Sequence, residues 1–576
     1  LKRSFLPILI VGALAATFSF VGKGCAQVLL NVTYGSQGIE QLSYNGIGLE
    51  DVGQYPSDVF HIWHMKTTDL KGNILSQGQY GWGENNNGRT WNAQTHTWTY
   101  TFIWGSISVA FEQVSDTLKM VVTTTNNTNS GVIFDGASIY PFVLHFPQLP
   151  AGFGVAGTPQ LSYNTTAPSV MLADYSQGEV AAVVPDATRP LYSGFWPASP
   201  ANSYTAMVST TTPDGLAVFL PRNDRPIMPG QSDTASVSLR FAPSGTSLSQ
   251  LAADIYKNWA AAWPEKLFWG DRRIVGTVYL ASSPQGDPSK PGGYPNNPRR
   301  YFNDSNAKDF NINTAAGLAA FQGRVLRQAA GNVQNMQRLN AQGAITWDIE
   351  GEQYPQPTSY ACSPDQIALL APEMESIVNG QASPYNGMKL DDAYFKTMRD
   401  AGFKVGVCVR PQHFVLASSG RAQQVYLSDA NVEAELLGKM KVAHDRWGAT
   451  IFYVDSSVEP DGAVLSPDIY KLLQAAMPYA LIVPEESTPK HYAYTAPFLS
   501  FIDHGDLGTN SGIYSYYPHG FSLNLINDVN PQLLAQYTPQ LTESVRRGDI
   551  LMVHADYWQA NNPVVMQIYQ AASSSK

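Results

Sequence analysis

The stretch Ile451-Phe452-Tyr453-Val454-Asp455-Ser456-Ser457 is an apolar run that stops abruptly at a carboxylate. The stretch Leu481-Ile482-Val483-Pro484-Glu485-Glu486-Ser487 repeats that pattern further along. Between them, Ser466-Pro467 opens a segment with Ile469, Leu472, Leu473 and Ala476 at helical spacing, and Pro467 suits a first helical turn. Strand, helix and strand in this order form a β-α-β unit, and such crossovers build parallel sheets. In a barrel of these units the functional groups gather at the C-terminal strand ends. Asp455 and one of Glu485 and Glu486 are therefore expected to face one pocket from adjacent strands.

The same grammar extends in both directions from Arg272 onward. Apolar runs at Ile274–Leu280, Ala344–Ile349, Lys404–Val409, Phe498–Ile502, Phe521–Ile526 and Ile550–Val553 predict six further strands. Helical patterns fill several gaps: Ala393 to Ala401 with Gly402 at its end, a segment capped by Asp429 with Val432, Leu436, Met440 and Ala443, and Leu533 to Val545 closed by Gly548. Eight strands over residues 272–576 match a (β/α)8 barrel in size. Two long insertions, Ser282–Asn311 and Gly351–Leu390, follow strand ends on the expected functional face, and the second is expected to carry a helix near Ile367–Val378.

Upstream the period changes. Trp98, Tyr100, Phe102 and Trp104 alternate with Thr97, Thr99, Thr101 and Ile103, the signature of a half-buried strand. Similar runs at Thr117–Thr125, Ser138–Phe146, Glu179–Val184, Ser203–Ser209, Leu216–Leu220 and Ala235–Phe241 predict an antiparallel β-sandwich over residues 27–245. Leu248, Leu251, Ala252, Ile255 and Trp259 predict one amphipathic helix, read as a linker over 246–271. The expected fold is thus multidomain: an N-terminal antiparallel β-sandwich followed by a (β/α)8 TIM barrel.

Composition bounds the partners. Charged residues make up 14% of the chain and hydrophobic ones 44%, which fits a globular protein rather than a disordered one. Lys2-Arg3, the apolar run from Phe5 to Val21, and Gly24-Cys25-Ala26 read as a secretory signal peptide over 1–26. The implied location is periplasmic or extracellular; a lipid anchor at Cys25 is the alternative, although Lys23 fits a lipobox poorly, and an uncleaved membrane anchor is a third reading. The net charge of -10 becomes more negative once the cations of that segment are removed. An acidic exported chain is a poor candidate for nucleic acid or anionic membrane surfaces. Of the remaining cysteines, Cys408 lies within an apolar strand and is expected as a buried free thiol.

Acids end the second, fourth, fifth and sixth predicted barrel strands. Each has a structural explanation, since an Asp after a strand often caps the next helix. Several acids converging on one face with Arg410 among them favour a site. Two carboxyls flanking a bond are what glycoside hydrolysis needs, about 5–5.5 Å apart with retention and roughly 6.5–9.5 Å apart with inversion. Asp455 is assigned as nucleophile. Glu485 or Glu486 is the acid/base, its pKa raised by burial and by Asp455; Pro484 leaves the choice between them open. Asp348 and Glu350 share parity and are expected to meet substrate hydroxyls. Arg410 offers a donor fork to Asp455. His413, His504, His554 and Asp556 complete the expected substrate-binding set, with Asp503 the reserve acid. No zinc motif or phosphate-cradling loop is present, so no cofactor is expected; the loop with Asp304-Ser305-Asn306 and Asp309 offers at most a structural calcium site.

A β-sandwich joined to a barrel with an Asp closing strand four resembles the α-glycosidase superfamily of α-galactosidases and α-glucosidases. That resemblance implies an Asp acid/base near strand six, which points to Asp503. A Glu about thirty residues after the Asp is more similar to the endo-α-N-acetylgalactosaminidases and their exo-acting relatives, where an Asp nucleophile and a Glu acid/base follow strands four and five. By that likeness Tyr453-Val454-Asp455 matches the nucleophile strand and Glu485/Glu486 the acid/base strand. An oligosaccharide or glycoconjugate substrate follows. A non-catalytic glycan-binding protein on the same scaffold is the rival reading.

Overall fold

The computed structural model describes residues 28–574 apart from 37, 50–60, 81–87, 135–137, 141–142, 146–161, 164–169, 176–177, 184–191, 199–202, 210–225, 282–298, 300, 303–309, 352–360, 381–383, 417–421, 461, 463, 501–512, 527 and 557. The N-terminal part is antiparallel. A seven-stranded sheet runs in the order Val170–Tyr175, Gly178–Val183, Ser232–Ala242, Thr117–Asn126, Gly105–Val114, Thr97–Phe102 and Arg89–Asn92. A second, eight-stranded sheet includes His61–Asp69, Ile74–Tyr80, Tyr192–Ala198 and Ser203–Ser209. Alternation decides which side chains go inward: Trp98, Val109, Leu118 and Leu239 from the first sheet share one buried cluster with Ile62 and Met65 from the second. The strand expected at Leu216–Leu220 lies outside the described residues.

The amphipathic segment that follows is two helices, Leu248–Leu251 and Ala253–Ala262, because Ala252 leaves helical geometry at φ -116° and ψ 21°. Ile255 and Trp259 are buried with barrel residues. The Trp259 indole donates to the Tyr517 hydroxyl at 3.0 Å. Arg240 of the seven-stranded sheet pairs with Asp254, so the segment is held from both sides.

Eight parallel strands follow: β1 Val275–Tyr279, β2 Gly343–Trp347, β3 Lys404–Val409, β4 Ala449–Val454, β5 Leu481–Pro484, β6 Phe498–Ser500, β7 Leu523–Leu525 and β8 Ile550–His554. They pair in the order β5-β4-β3-β2-β1-β8-β7-β6, a nearly closed barrel with its seam between β5 and β6. At the seam the Ala496 N–H donates to the Ile482 carbonyl at 3.0 Å. The described helices of ten or more residues within this part are α1 Ala315–Arg338, α2 Leu390–Asp400, α3 Asp429–Trp447, α4 Pro467–Ala476, α5 Pro531–Arg547 and α6 Asn562–Ser573.

Local chemistry sets their ends. The Thr314 hydroxyl accepts from the Gly317 N–H at the start of α1. Gly448, at φ 69°, ends α3 in the left-handed region that a side chain would disfavour, and β4 begins at the next residue. The N-cap of α3 is Ser428, with Asp429 one place inside, where its charge faces the positive helix terminus. The helix expected near Ile367–Val378 is a single turn, Ile367–Leu370, because Pro372 forces Ala371 out of the helical region. No helix among the described residues is long and apolar enough to cross a membrane.

Candidate active site

Alternation along the barrel strands sorts the site residues. Ile451 and Tyr453 on β4, Leu481 and Val483 on β5, and Cys408 on β3 belong to the cluster inside the barrel. Phe452, Val454 and Ile482 belong to the cluster beneath the helices. By the same alternation Arg410, Asp455 and Glu485 continue the inward rows, and Glu486 continues the outward one.

The register holds one residue beyond the ladder. Val454 pairs with Pro484, the Asp455 N–H donates to the Val409 carbonyl, and the Glu485 N–H donates to the Val454 carbonyl, each bond 3.0 Å long. Asp455 and Glu485 therefore stand side by side on neighbouring strands, where backbones lie about 4.8 Å apart. Pro484 does not disturb this arrangement. With the Glu485 N–H turned toward β4, the position where Pro484 lacks a donor faces the seam, which is where a strand tolerates proline.

Asp455 is 5% exposed. Its Oδ2 accepts from Arg410 Nε at 2.9 Å and Nη2 at 2.7 Å, and its Oδ1 accepts from the Ser456 hydroxyl at 3.2 Å. Glu485 Oε2 accepts the Ser456 N–H at 2.6 Å. Ser456 presents that N–H from the left-handed region, φ 50°, a strained geometry for a serine. Burial first, and then the neighbouring Asp455 charge, push the Glu485 carboxyl up to about 8. Hydrogen bonding toward Asp455 acts in the same direction and favours the protonated Glu485. The Tyr453 phenol is raised well above its ordinary value by burial and by the charges of Glu485 and Asp455, and it too is hydrogen-bonded to Glu485. Glu486 is exposed, and its backbone N–H donates to the Ser457 hydroxyl at 2.8 Å.

The other candidates lie at several distinct places. Asp348 and Glu350 are each 1% exposed, beyond a strand whose inward positions are Ile345 and Trp347. Asp348 turns the chain at φ 55°. Glu350 accepts the Ser363 N–H at 2.8 Å, and burial pushes its carboxyl up to about 7 against the opposing pull of backbone donors and Lys439. His413 pairs with Glu435 through Nδ1 at 3.0 Å, with its side chain 38% exposed. His554 Nδ1 stands 2.6 Å from Asp528 Oδ1. Burial works to lower the His554 pKa, yet the Asp528 hydrogen bond and the charges of Asp528 and Asp556 outweigh it, and the net shift is upward. Asp556 is half-buried, its carbonyl accepting from Gln328 Nε2 at 3.1 Å. Asp503, His504 and the expected calcium loop, Asp304 to Asn306 with Asp309, lie outside the described residues.

Sequence reasoning left several groups unassigned. Tyr279, Trp347, Tyr453 and Phe498 form a row of rings with centroids 4.9 to 5.2 Å apart inside the barrel. Tyr453 was legible as the inward residue two before Asp455. Lys439, buried on α3, donates to the Arg410 and Gln412 carbonyls at 2.9 and 2.8 Å; a lysine among Leu436, Met440 and Ala443 on an apolar face was its signal. The cysteine expectation is corrected. Cys362 and Cys408 form a disulfide with Cα atoms 5.0 Å apart, joining the insertion after β2 to β3. Nothing in a separation of 46 residues announces that pairing. The two sulfurs and an Asp455 oxygen lie within 4.8 Å of one another, but sulfurs bonded to each other are not thiolate ligands for a metal.

No family model matches this sequence, and no curated protein matches it either. Solved structures do. The chain is similar to the α-N-acetylgalactosaminidase NagBb of Bifidobacterium bifidum, solved with GalNAc, at a TM-score of 0.51 and 9% identity, covering 95% of this chain and 92% of that one. It also matches a GH36 α-galactosidase AgaA of Geobacillus stearothermophilus, solved with stachyose, at 0.41 and 10% identity over 94% of this chain and 84% of that one. A third match is the galactosidase domain of the α-galactosidase-sucrose kinase AgaSK, at 0.39 and 9% identity over 88% and 74%. The likeness to NagBb supports the order of antiparallel sheets followed by a barrel.

Proposed function

We propose that this chain is an exported glycoside hydrolase acting on α-linked sugars, with Asp455 as nucleophile and Glu485 as acid/base. The observation that carries the proposal is the in-register placement of Asp455 and Glu485 at the mouth of the barrel, with opposite electrostatic surroundings. Asp455 is ion-paired with Arg410 at 2.7 Å, which suits an attacking carboxylate. Glu485 holds its proton up to about pH 8, which suits donation to a leaving glycosidic oxygen. A carboxyl that keeps its proton beside one paired with a guanidinium assigns the two roles. The ring row that includes Trp347 and Tyr453 packs inside the barrel beside these carboxyls, an apolar surround that suits a sugar's C–H face. The NagBb and α-galactosidase likenesses fit an α-linked galactose or N-acetylgalactosamine. The disulfide fits export to an oxidising compartment, periplasmic or extracellular.

In the proposed reaction Asp455 attacks the anomeric carbon while Glu485 protonates the departing oxygen. Glu485, now a carboxylate, then takes a proton from the water that releases the sugar. The Ser456 N–H, 2.6 Å from Glu485, stabilises that carboxylate. The test is hydrolysis of aryl α- and β-glycosides with the product anomer read by NMR. Retention on an α-substrate is expected. Asp455→Asn should abolish turnover with the fold intact. Glu485→Gln should slow poor leaving groups by about 10²- to 10⁴-fold and spare activated ones. Near-normal turnover by Asp455→Asn would refute the assignment.

A further inference from the structure

We propose that the Cys362–Cys408 disulfide positions Asp455, so that turnover depends on whether these two sulfurs are joined. The inference rests on the reading of Asp455 as nucleophile. Cys362 Sγ lies 4.0 Å from Asp455 Oδ2, the oxygen that accepts both Arg410 bonds. Cys408 stands two residues before Arg410 on the same inward row of β3, and the Cys362 carbonyl accepts the Arg410 N–H at 3.1 Å. The bridge and this backbone bond together seat Arg410 on the insertion after β2. The Val409 carbonyl, between Cys408 and Arg410, in turn accepts the Asp455 N–H at 3.0 Å. Both the carboxylate and its cation thus hang on the short segment that the disulfide anchors.

Local backbone preference does not hold that segment. Cys362 sits at φ 47°, in the left-handed region that a non-glycine residue occupies only where its surroundings impose it. Lys439, buried under the strand end, ties down the Arg410 and Gln412 carbonyls, and Gln412 Nε2 donates to the Ser456 carbonyl at 2.9 Å. These bonds hold the end of β3 from α3 and from the end of β4. The disulfide and the Cys362 carbonyl hold it from the insertion side at Cys408 and Arg410, and Gln366 Nε2 ties the same insertion to the Phe414 carbonyl further along at 3.0 Å. A dithiol reductant would convert the bridge to two thiols with uptake of two electrons and two protons, the reductant leaving as its own disulfide. Two uncoupled sulfurs move apart beyond bonding distance beside Asp455, and Cys362 is free to leave its left-handed geometry. The Arg410 N–H then loses its fixed acceptor.

The experiment compares oxidised wild type, wild type reduced by a dithiol, and the Cys362→Ala/Cys408→Val double variant, with thiol state read by mass spectrometry and fold by circular dichroism. Displacement of a catalytic group by about an ångström costs on the order of 10²-fold, so kcat should fall by about 10- to 100-fold on reduction with KM within about threefold. Reoxidation should restore wild type, and the double variant should be slow whether or not reductant is present. Hydrogen exchange supplies a readout that needs no substrate: the Arg410 and Asp455 amides should exchange at least about tenfold faster in the reduced protein, since the Arg410 acceptor lies on the released insertion and the Asp455 acceptor on the strand end that the insertion seats. Unchanged exchange at both amides, or full turnover by protein shown to carry free thiols, overturns the proposal. If oxidised wild type hydrolyses no glycoside, the functional reading falls, and amide exchange still decides whether the disulfide positions Asp455.

Discussion

Replacing Glu485 by glutamine should remove a pH-dependent strain from the barrel. In the folded protein this carboxyl is pushed from 4.5 up to about 8, first by burial and then by Asp455. A group raised in the fold contributes its full stability below its unfolded value and loses it as pH climbs through its folded value. Wild type should therefore weaken progressively between about pH 4.5 and about pH 8, then level off. At about 1.4 kcal/mol per pH unit, the loss across that window is on the order of 5 kcal/mol. For a barrel of this size each kcal/mol moves Tm by about 2 °C, so the expected fall is on the order of 10 °C. Glutamine keeps the acceptor oxygen for the Ser456 N–H and carries no charge, so the variant should lack most of that fall. The assay is thermal unfolding of both proteins at matched ionic strength from about pH 5 to about pH 9. If the two curves of Tm against pH are parallel, Glu485 is not the neutral buried acid described here. The rate should tell the same story, with kcat/KM declining above about pH 8 as the acid loses its proton.

Arg410→Met leaves the Asp455 carboxylate buried without its cation, so the barrel should lose about 3 kcal/mol in urea unfolding and turnover should fall at least about 100-fold. Glu486→Gln changes an exposed side chain on the outward row; stability should stay within about 0.5 kcal/mol and kcat within about twofold. His554 should titrate by NMR above its ordinary 6.5, because the contact with Asp528 favours the imidazolium. That contribution is fully present below about pH 6.5 and is lost as pH rises through the raised value, and Asp528→Asn should bring the midpoint down below 6.5.

The periodic features of the chain were readable without coordinates. The switch from period two to alternating strand and helix follows from where apolar side chains must point, and it gave the order of antiparallel sheets and barrel. Asp455 at the end of β4 was equally plain, since a carboxylate halting an apolar run marks where the strand leaves the apolar interior for groups that can pair with a charge. Choosing between Glu485 and Glu486 needed the register of β4 against β5 and the seam beside Pro484, because a proline interrupts a strand only where its missing donor faces a partner. The Cys362–Cys408 bond, Lys439 beneath the β3 end and the His554–Asp528 contact all join residues distant in the chain. A one-dimensional pattern records which way a side chain points within its own element. Which partner it meets there depends on how the strands close into a ring, and only the tertiary structure decides that.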